Sequence, residues 1–278
     1  MEIKFYKLQI GGNDLLLVNE IKRATISTDI LPLIAKTICK RSKGVGANGI
    51  IFLYSGKKNE VKMKFYNSKG NINKINYDAV LCSAKYVFDY GLAGSEYIVI
   101  NTDFGIFTVD CIDSTNFRIV LGEAHSENGE ILSEDSMADF SKQAVIQGRS
   151  TVYTPVAFKD TGISVFFPNR QKNDKKEISN YFRQLRKTKQ YRTAFIKIFN
   201  EEEIGVETYS QYAVRDNCFI SAIAGVSSVL NGLCDRELTI YYKSDTLFFQ
   251  WDKDNNFVYI TGQPGYVFSG NFYFEQEN

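Results

Sequence analysis

Asp78-Ala-Val-Leu-Cys-Ser-Ala-Lys-Tyr-Val-Phe-Asp-Tyr-Gly-Leu92 is the stretch on which the fold turns. Val80, Leu81, Ala84, Val87 and Phe88 recur at helical spacing and Gly91 is a natural stop, so a helix is predicted over Asp78–Tyr90. A second run of the same character spans Cys218–Leu230 and stops at Gly232. The endings match: Phe88-Asp-Tyr-Gly-Leu92 and Val229-Leu-Asn-Gly-Leu233. Each run follows a polar turn, at Asn76 to Asp78 and at Arg215 to Asn217. Helices with so little polar surface must be enclosed by other structure.

The flanking sequence supplies that enclosure as strands. Ile3–Ile10, Asp14–Val18, Ile50–Tyr54, Lys62–Tyr66, Tyr97–Asn101, Phe104–Cys111 and Phe117–Leu121 carry β-branched or aromatic residues between turn signals. The second half repeats the plan with Thr151–Phe158, Ile163–Phe167, Thr193–Phe199 and further strand through Tyr209, then Leu238–Tyr242, Leu247–Trp251, Val258–Thr261 and Asn271–Phe274. Two amphipathic helices are expected besides, Leu31–Lys40 and Lys175–Lys187. The economical architecture is an α/β (α+β) chain of two pseudo-symmetric domains related by internal duplication. Each is a mostly antiparallel sheet or barrel wrapped around its own central helix. We expect residues 1–122 to form the first domain, 123–267 the second, and 268–278 to return to the first as a last strand. Glu123 to Asp139, with six acids and no Lys or Arg, reads as the crossover.

Bulk properties exclude several classes. The 278 residues are 44% hydrophobic and 23% charged, the balance of a water-soluble protein with a sizeable core. A net charge of +1 gives no overall bias toward nucleic acid or an anionic membrane. The charged start has no apolar run behind it, so neither a secretory signal nor a membrane span is expected. Five scattered cysteines (39, 82, 111, 218 and 234) suit free thiols in a cytoplasmic protein. With one histidine, His125, no metal site is expected. Nine Lys/Arg against two Asp/Glu between Arg170 and Arg192 form either the solvated face of a helix or a contact for an acidic partner. Glu201 to Glu203 follow closely and speak against nucleic acid.

Four motifs in order then suggest a family. Phe5-Tyr-Lys-Leu-Gln-Ile-Gly-Gly-Asn-Asp14, Arg41-Ser-Lys-Gly-Val-Gly-Ala-Asn-Gly49, Asn67-Ser-Lys-Gly70 and Thr261-Gly-Gln-Pro-Gly-Tyr-Val-Phe-Ser-Gly270 resemble the diaminopimelate epimerase family across nearly the whole chain. The resemblance implies its two-domain fold, a small-molecule ligand in the interdomain cleft, no cofactor and a homodimer. It implies a chemistry too: one cysteine takes an α-proton and a second returns a proton to the opposite face. In the family those cysteines begin Cys-Gly-Asn-Gly and Cys-Gly-Thr-Gly motifs ahead of the two central helices.

Here the match fails. Without gaps, Asn76-Tyr-Asp-Ala79 lies over the first motif and Phe219-Ile-Ser-Ala222 over the second. An amide cannot act as a thiolate base, and Tyr77 and Ala79 would crowd an anion cradle built from glycines. Cys82 matches a non-catalytic cysteine and reads as a core thiol. Cys218 lies one place early, so it is either a buried thiol or, with one deletion, the second cysteine. The family's Glu-Arg pair falls on Ser210-Gln211, its Gly-Asn-Pro-His motif on Asp160-Thr-Gly-Ile163, and another asparagine on Arg192. An amide in place of a bidentate guanidinium loses a carboxylate ligand.

The candidate residues follow from this comparison. Asn13, Asn67, Asn76, Tyr77 and Ser221 take the substrate-binding positions, although Asn13 and Asn67 suit turns equally. Asp78 is either the N-cap of its helix or the best remaining general base. The expectation is a protein of this fold without two-cysteine epimerase activity, retaining ligand or partner binding. The alternatives are a one-base isomerase or racemase using Asp78, or Cys218 with Asp216, and a true diaminopimelate epimerase.

Overall fold

The computed structural model describes residues 1–57, 59–72, 75–133, 141–158, 161–167, 174–185, 191–208, 216–242 and 245–275. The chain divides into two compact units, Met1–Ile119 with Val214–Asn217 and Thr261–Asn278, and Val120–Ala213 with Cys218–Ile260.

The first unit holds strands β1 (Glu2–Ile10), β2 (Asn13–Asn19), β3 (Gly49–Ser55), β4 (Glu60–Asn67), β5 (Tyr97–Thr102), β6 (Gly105–Cys111), β7 (Phe117–Gly122) and β16 (Gly265–Tyr273). Their spatial order is β16-β1-β2-β3-β4-β5-β6-β7. All neighbours are antiparallel except β2–β3 and β4–β5, which are parallel. A parallel pair needs a crossover. Helix α1 (Leu31–Ile38) supplies the first and α2 (Tyr77–Asp89) the second.

These two helices explain the sequence pattern around them. α2 packs against β1 to β6, and ten of its thirteen residues are buried. α1 covers the opposite face, where Leu31, Ile34, Ala35 and Ile38 join Ile3, Phe5, Leu16, Val18, Ile50 and Phe52 in one core cluster. β2 and β3 are therefore buried on both faces. That is why they read as unbroken apolar runs, Leu15-Leu-Leu-Val18 and Ile50-Ile-Phe-Leu53, instead of alternating.

The second unit repeats the scheme strand for strand in the order β8 (Lys142–Ile146), β9 (Arg149–Phe158), β10 (Thr161–Phe166), β11 (Tyr191–Asn200), β12 (Glu203–Thr208), β13 (Glu237–Tyr242), β14 (Asp245–Trp251) and β15 (Val258–Gly262). Its parallel pairs, β10–β11 and β12–β13, enclose α3 (Lys175–Leu185) and α4 (Asn217–Leu230). Ile178 of α3 packs on Phe166 and Phe195, and α4 is buried from Asn217 to Val229. The expected internal duplication is present in both sheets.

Both central helices end alike. Gly91 and Gly232 have φ of 59° and 62°, and Leu92 N–H and Leu233 N–H reach back to the carbonyls of Val87 and Ser228. This is the Schellman ending, which glycine permits at no steric cost.

Several boundaries differ from expectation. α1 stops at Ile38 instead of Lys40 and follows a single 3-10 turn, Thr28–Ile30. The last strand begins at Gly265, not Asn271, and β8 was not foreseen. Both lack the alternation that marks a half-buried strand: Tyr266, Val267, Phe268 and Val145 are all exposed. No helix among the described residues is long and apolar enough to cross a membrane.

Candidate functional site

The site is built around the start of α2. Asn76 is the N-cap, with extended backbone and its Oδ1 accepting the N–H of Ala79 at 2.8 Å. This corrects the expectation that Asp78 caps its own helix. Asp78 is the second helical residue, has no exposed surface, and turns its carboxylate elsewhere. Its Oδ2 accepts two hydrogen bonds of 2.8 Å, one from Asn13 Nδ2 and one from the backbone N–H of Asn217.

Asn217 is the first residue of α4 and groups with the first unit. Its Nδ2 donates to the carbonyls of Ile10 and Gly11, at 3.1 and 2.8 Å. Gly11 has φ +60°, and a Cβ there would lie 2.6 Å from Asn217 Nδ2. Only glycine meets both the backbone and the spacing. Just before Asn217, Asp216 is 3% exposed and its Oδ2 accepts the N–H of Tyr77 at 2.9 Å. The two carboxylates thus cross over: Asp216 receives the first N–H of α2, and Asp78 the first N–H of α4.

A polar chain leads outward from Asp78. Asn48 Nδ2 donates to Asn13 Oδ1 at 2.8 Å. Arg41 reaches Asn48 Oδ1 at 3.3 Å and grips Asp14 with two hydrogen bonds of 2.9 and 2.6 Å. Lys7 adds a 3.1 Å ion pair to Asp14 and donates to the carbonyl of Gly46. Burial opposes charge at Asp14, but Arg41 and Lys7 together outweigh it and hold its carboxyl below the usual range.

The remaining candidates lie as follows. Tyr77 is buried, its ring edge-on to Phe107 at 5.8 Å, and burial followed by the Asp216 charge pushes its phenol up. Asn67 ends β4 and its Oδ1 accepts the N–H groups of Lys69 and Asn71, which makes a turn closed by Gly70 at φ +74°. Cys82 is fully buried, and burial, then the Asp78 charge, drives its thiol well above the ordinary value. In the second unit Cys218 and Ser221 have no exposed surface, and Phe219, 4% exposed, packs edge-on to Phe158 at 6.2 Å. Ser221 Oγ is buried without a hydrogen-bond partner among the described residues.

The structure therefore brings together Asn13, Asn76, Tyr77 and Asp78. Asn67 serves its own turn. Ser210, Gln211, Asp160, most of the basic 170–192 strip and the Arg192 side chain lie outside what is described. Asn217 and Gly11 were not anticipated, and Asp216 was considered only as a helper of Cys218. One signal was available: Asn76 and Asn217 each stand fifteen residues ahead of their stop glycines, Gly91 and Gly232. Among the described residues, no cluster of His, Cys, Asp and Glu is arranged to hold a metal ion.

Comparison with known proteins gives the frame. No protein-family model matches the chain. Over 286 residues it is 26% identical to the diaminopimelate epimerase of Desulfovibrio desulfuricans, covering 98% of each sequence. Among solved structures it resembles a PhzF-family phenazine biosynthesis protein from Bacillus anthracis, with a TM-score of 0.66 and 13% identity over 99% of this chain and 100% of that one. It likewise resembles a probable proline racemase from Agrobacterium radiobacter, with a TM-score of 0.66 and 8% identity over 98% and 93%. The structural likenesses speak for the fold alone. Joined to likeness in sequence along the full length, they support membership of the diaminopimelate epimerase family.

Proposed function

We propose that this chain is a member of the family that does not perform two-cysteine epimerisation, and that its remaining role is binding. The observation that carries this reading is the chemistry of the two helix starts. Counting back from the stop glycines pairs Asn76 with Asn217, so the residue at each start is an amide. Each amide is engaged in structure: Asn76 caps Ala79, and Asn217 holds the carbonyls of Ile10 and Gly11. This count replaces Phe219 with Asn217 at the second cysteine position. The nearest thiols, Cys82 and Cys218, lie inside the helices with zero exposure. A base must reach the proton that it abstracts, and neither thiol has surface to do so.

The one-base alternative fares no better. Asp78 is fully buried with one oxygen already taken by two donors, and Asp216 and Cys218 are 3% and 0% exposed. A protein left with binding takes a small molecule, a partner or a second copy of itself, in the cytoplasm and with no cofactor.

The deciding experiment is NMR in deuterated water with diaminopimelate and a panel of amino and small organic acids. The expected result is no α-proton exchange above a heat-denatured blank, with a two-cysteine family enzyme as positive control. Exchange that disappears in Asp78→Ala or Cys218→Ala would overturn the proposal.

A further inference from the structure

Asn-Gly occurs three times in the chain, at Asn48-Gly49, Asn128-Gly129 and Asn231-Gly232. The dipeptide carries its own nucleophile. With no side chain on the second residue to obstruct it, the glycine nitrogen can approach the asparagine Cγ. A bond forms from that nitrogen to Cγ, the nitrogen's proton joins the departing amide, and ammonia leaves behind a five-membered imide. Water then opens the imide at either carbonyl, to aspartate or to isoaspartate. The asparagine side chain must fold back on its own backbone to react, so hydrogen bonds that hold it elsewhere oppose the step.

The fold restrains two of the three. Asn48 donates from Nδ2 to Asn13 and accepts at Oδ1 from Arg41, and Gly49 is buried in β3 between Leu15 and Asn67 of the adjoining strands. Asn231 donates from Nδ2 to Thr154 Oγ1 at 2.9 Å and to the carbonyl of Ser227 at 2.7 Å, and its Oδ1 accepts from Ser141 at 3.3 Å. Asn128 differs. It is exposed, and its side chain makes no hydrogen bond with any described residue. Gly129 is exposed too, and nothing lies within 4 Å of where a Cβ would stand. Its N–H bonds to the carbonyl of Ser126 at 3.0 Å, but Gly232 N–H holds Val229 in the same way at 2.8 Å. The backbone bonds therefore do not separate these sites; the side-chain bonds do.

We propose that Asn128 is a modification site, converted spontaneously to aspartate and isoaspartate in the folded protein while Asn48 and Asn231 persist. Either product places a new negative charge beside Glu127, which pairs with Lys142. Isoaspartate also inserts a carbon into the backbone ahead of Gly129. That carbon shifts Gly129 N–H from the Ser126 carbonyl and Glu130 N–H from Ser126 Oγ, two bonds that shape the turn. The turn closes on His125, whose backbone pairs with Ile131 on one side and Ala157 on the other. As the single histidine of the chain, it reports on the change by itself. The inference is independent of whether the protein binds or catalyses.

The test is peptide mapping by mass spectrometry of the full-length protein, held at mildly alkaline pH and sampled over time, once folded and once in urea. The amide-to-acid mass gain reads conversion at each asparagine, and isoaspartate is resolved from aspartate by chromatography. In the folded chain the Asn128 peptide should convert at least about tenfold faster than the other two, whose side-chain hydrogen bonds must break first. In urea the three should convert at similar rates, because the dipeptide is the same. A second set of His125 ring signals in the NMR spectrum should grow with the isoaspartate fraction and be missing from Asn128→Ser treated alike. Conversion of Asn48 or Asn231 that keeps pace with Asn128 in the folded chain overturns the proposal. So does an Asn128 that the fold protects as strongly as it protects the others, and so does a second His125 signal that grows equally in Asn128→Ser.

Discussion

Asn48 hands its amide hydrogen to Asn13, whose own amide must then face Asp78: the two contacts are 2.8 Å each and fix the Asn13 side chain in one orientation. An asparagine held so leaves no freedom for a carboxylate in its place.

Asn13→Asp sets a carboxylate oxygen against the Asp78 carboxylate in place of a donor, at two positions with no exposed surface. The expected loss is about 3 kcal/mol or more, against about 1–3 kcal/mol for Asn13→Ala, which removes only the hydrogen bonds. Urea denaturation of the two variants measures the difference, and equal losses would contradict the like-charge argument.

Two left-handed glycines separate conformation from contact. At Gly91, φ is +59° and a Cβ meets nothing within 4 Å, so Gly91→Ala costs only the backbone strain, about 1 kcal/mol. At Gly11 the same strain comes with a Cβ 2.6 Å from Asn217 Nδ2. Gly11→Ala is expected to cost about 1–3 kcal/mol more, as overpacking does. Denaturation midpoints that rank the two the other way would show the Asn217 contact to be soft.

The thiols make a chemical prediction. Burial, then a neighbouring carboxylate, pushes Cys39 up to about 12 and Cys111 up to about 11, and Cys234 also reaches about 11 with burial the main cause. At pH 8 such thiols are almost wholly protonated and therefore poor nucleophiles. Iodoacetamide followed by mass spectrometry should label the half-buried Cys111 and Cys234 slowly, faster by roughly tenfold per pH unit up to pH 10. Cys39, Cys82 and Cys218 should stay unlabelled until denaturant is added. Rapid labelling of Cys218 at neutral pH would revive it as a catalytic thiol.

Acid stability should carry the mark of Asp14. Its carboxyl sits lower in the folded chain than in the unfolded one, so its contribution is present above the unfolded value, about 3.9, and is lost as pH falls through the folded value. Asp14→Asn should lower stability near neutral pH and flatten the decline below about pH 4. Because Arg41 is largely exposed, Arg41→Met should lose about 1 kcal/mol at most from this pair. Urea midpoints from pH 2.5 to 7 check both.

The core helices, their shared ending and the doubly buried strands were legible in the sequence, because each follows from local periodicity or a stop glycine. Strands such as β16, exposed on both faces, leave no such pattern. At the start of α2 the sequence offers two residues with nearly equal capping preference, Asn76 and Asp78, and local propensity does not rank them. What separates them is Asn217, 139 positions beyond Asp78, which claims the aspartate for another purpose. The cross-capping pair was illegible for the same reason: nothing near Tyr77 announces Asp216.

The pairing of β1 with β16 has a consequence for biosynthesis. Residues 2–10 are synthesised well before their antiparallel neighbour, Gly265–Tyr273. Chains grow at about 5–20 residues per second, so the earliest strand waits on the order of ten seconds or more for its partner. The first unit is then completed only after the residues of the second have been made. During that interval an apolar strand edge stands open in the cell, where it depends on a chaperone or on speed.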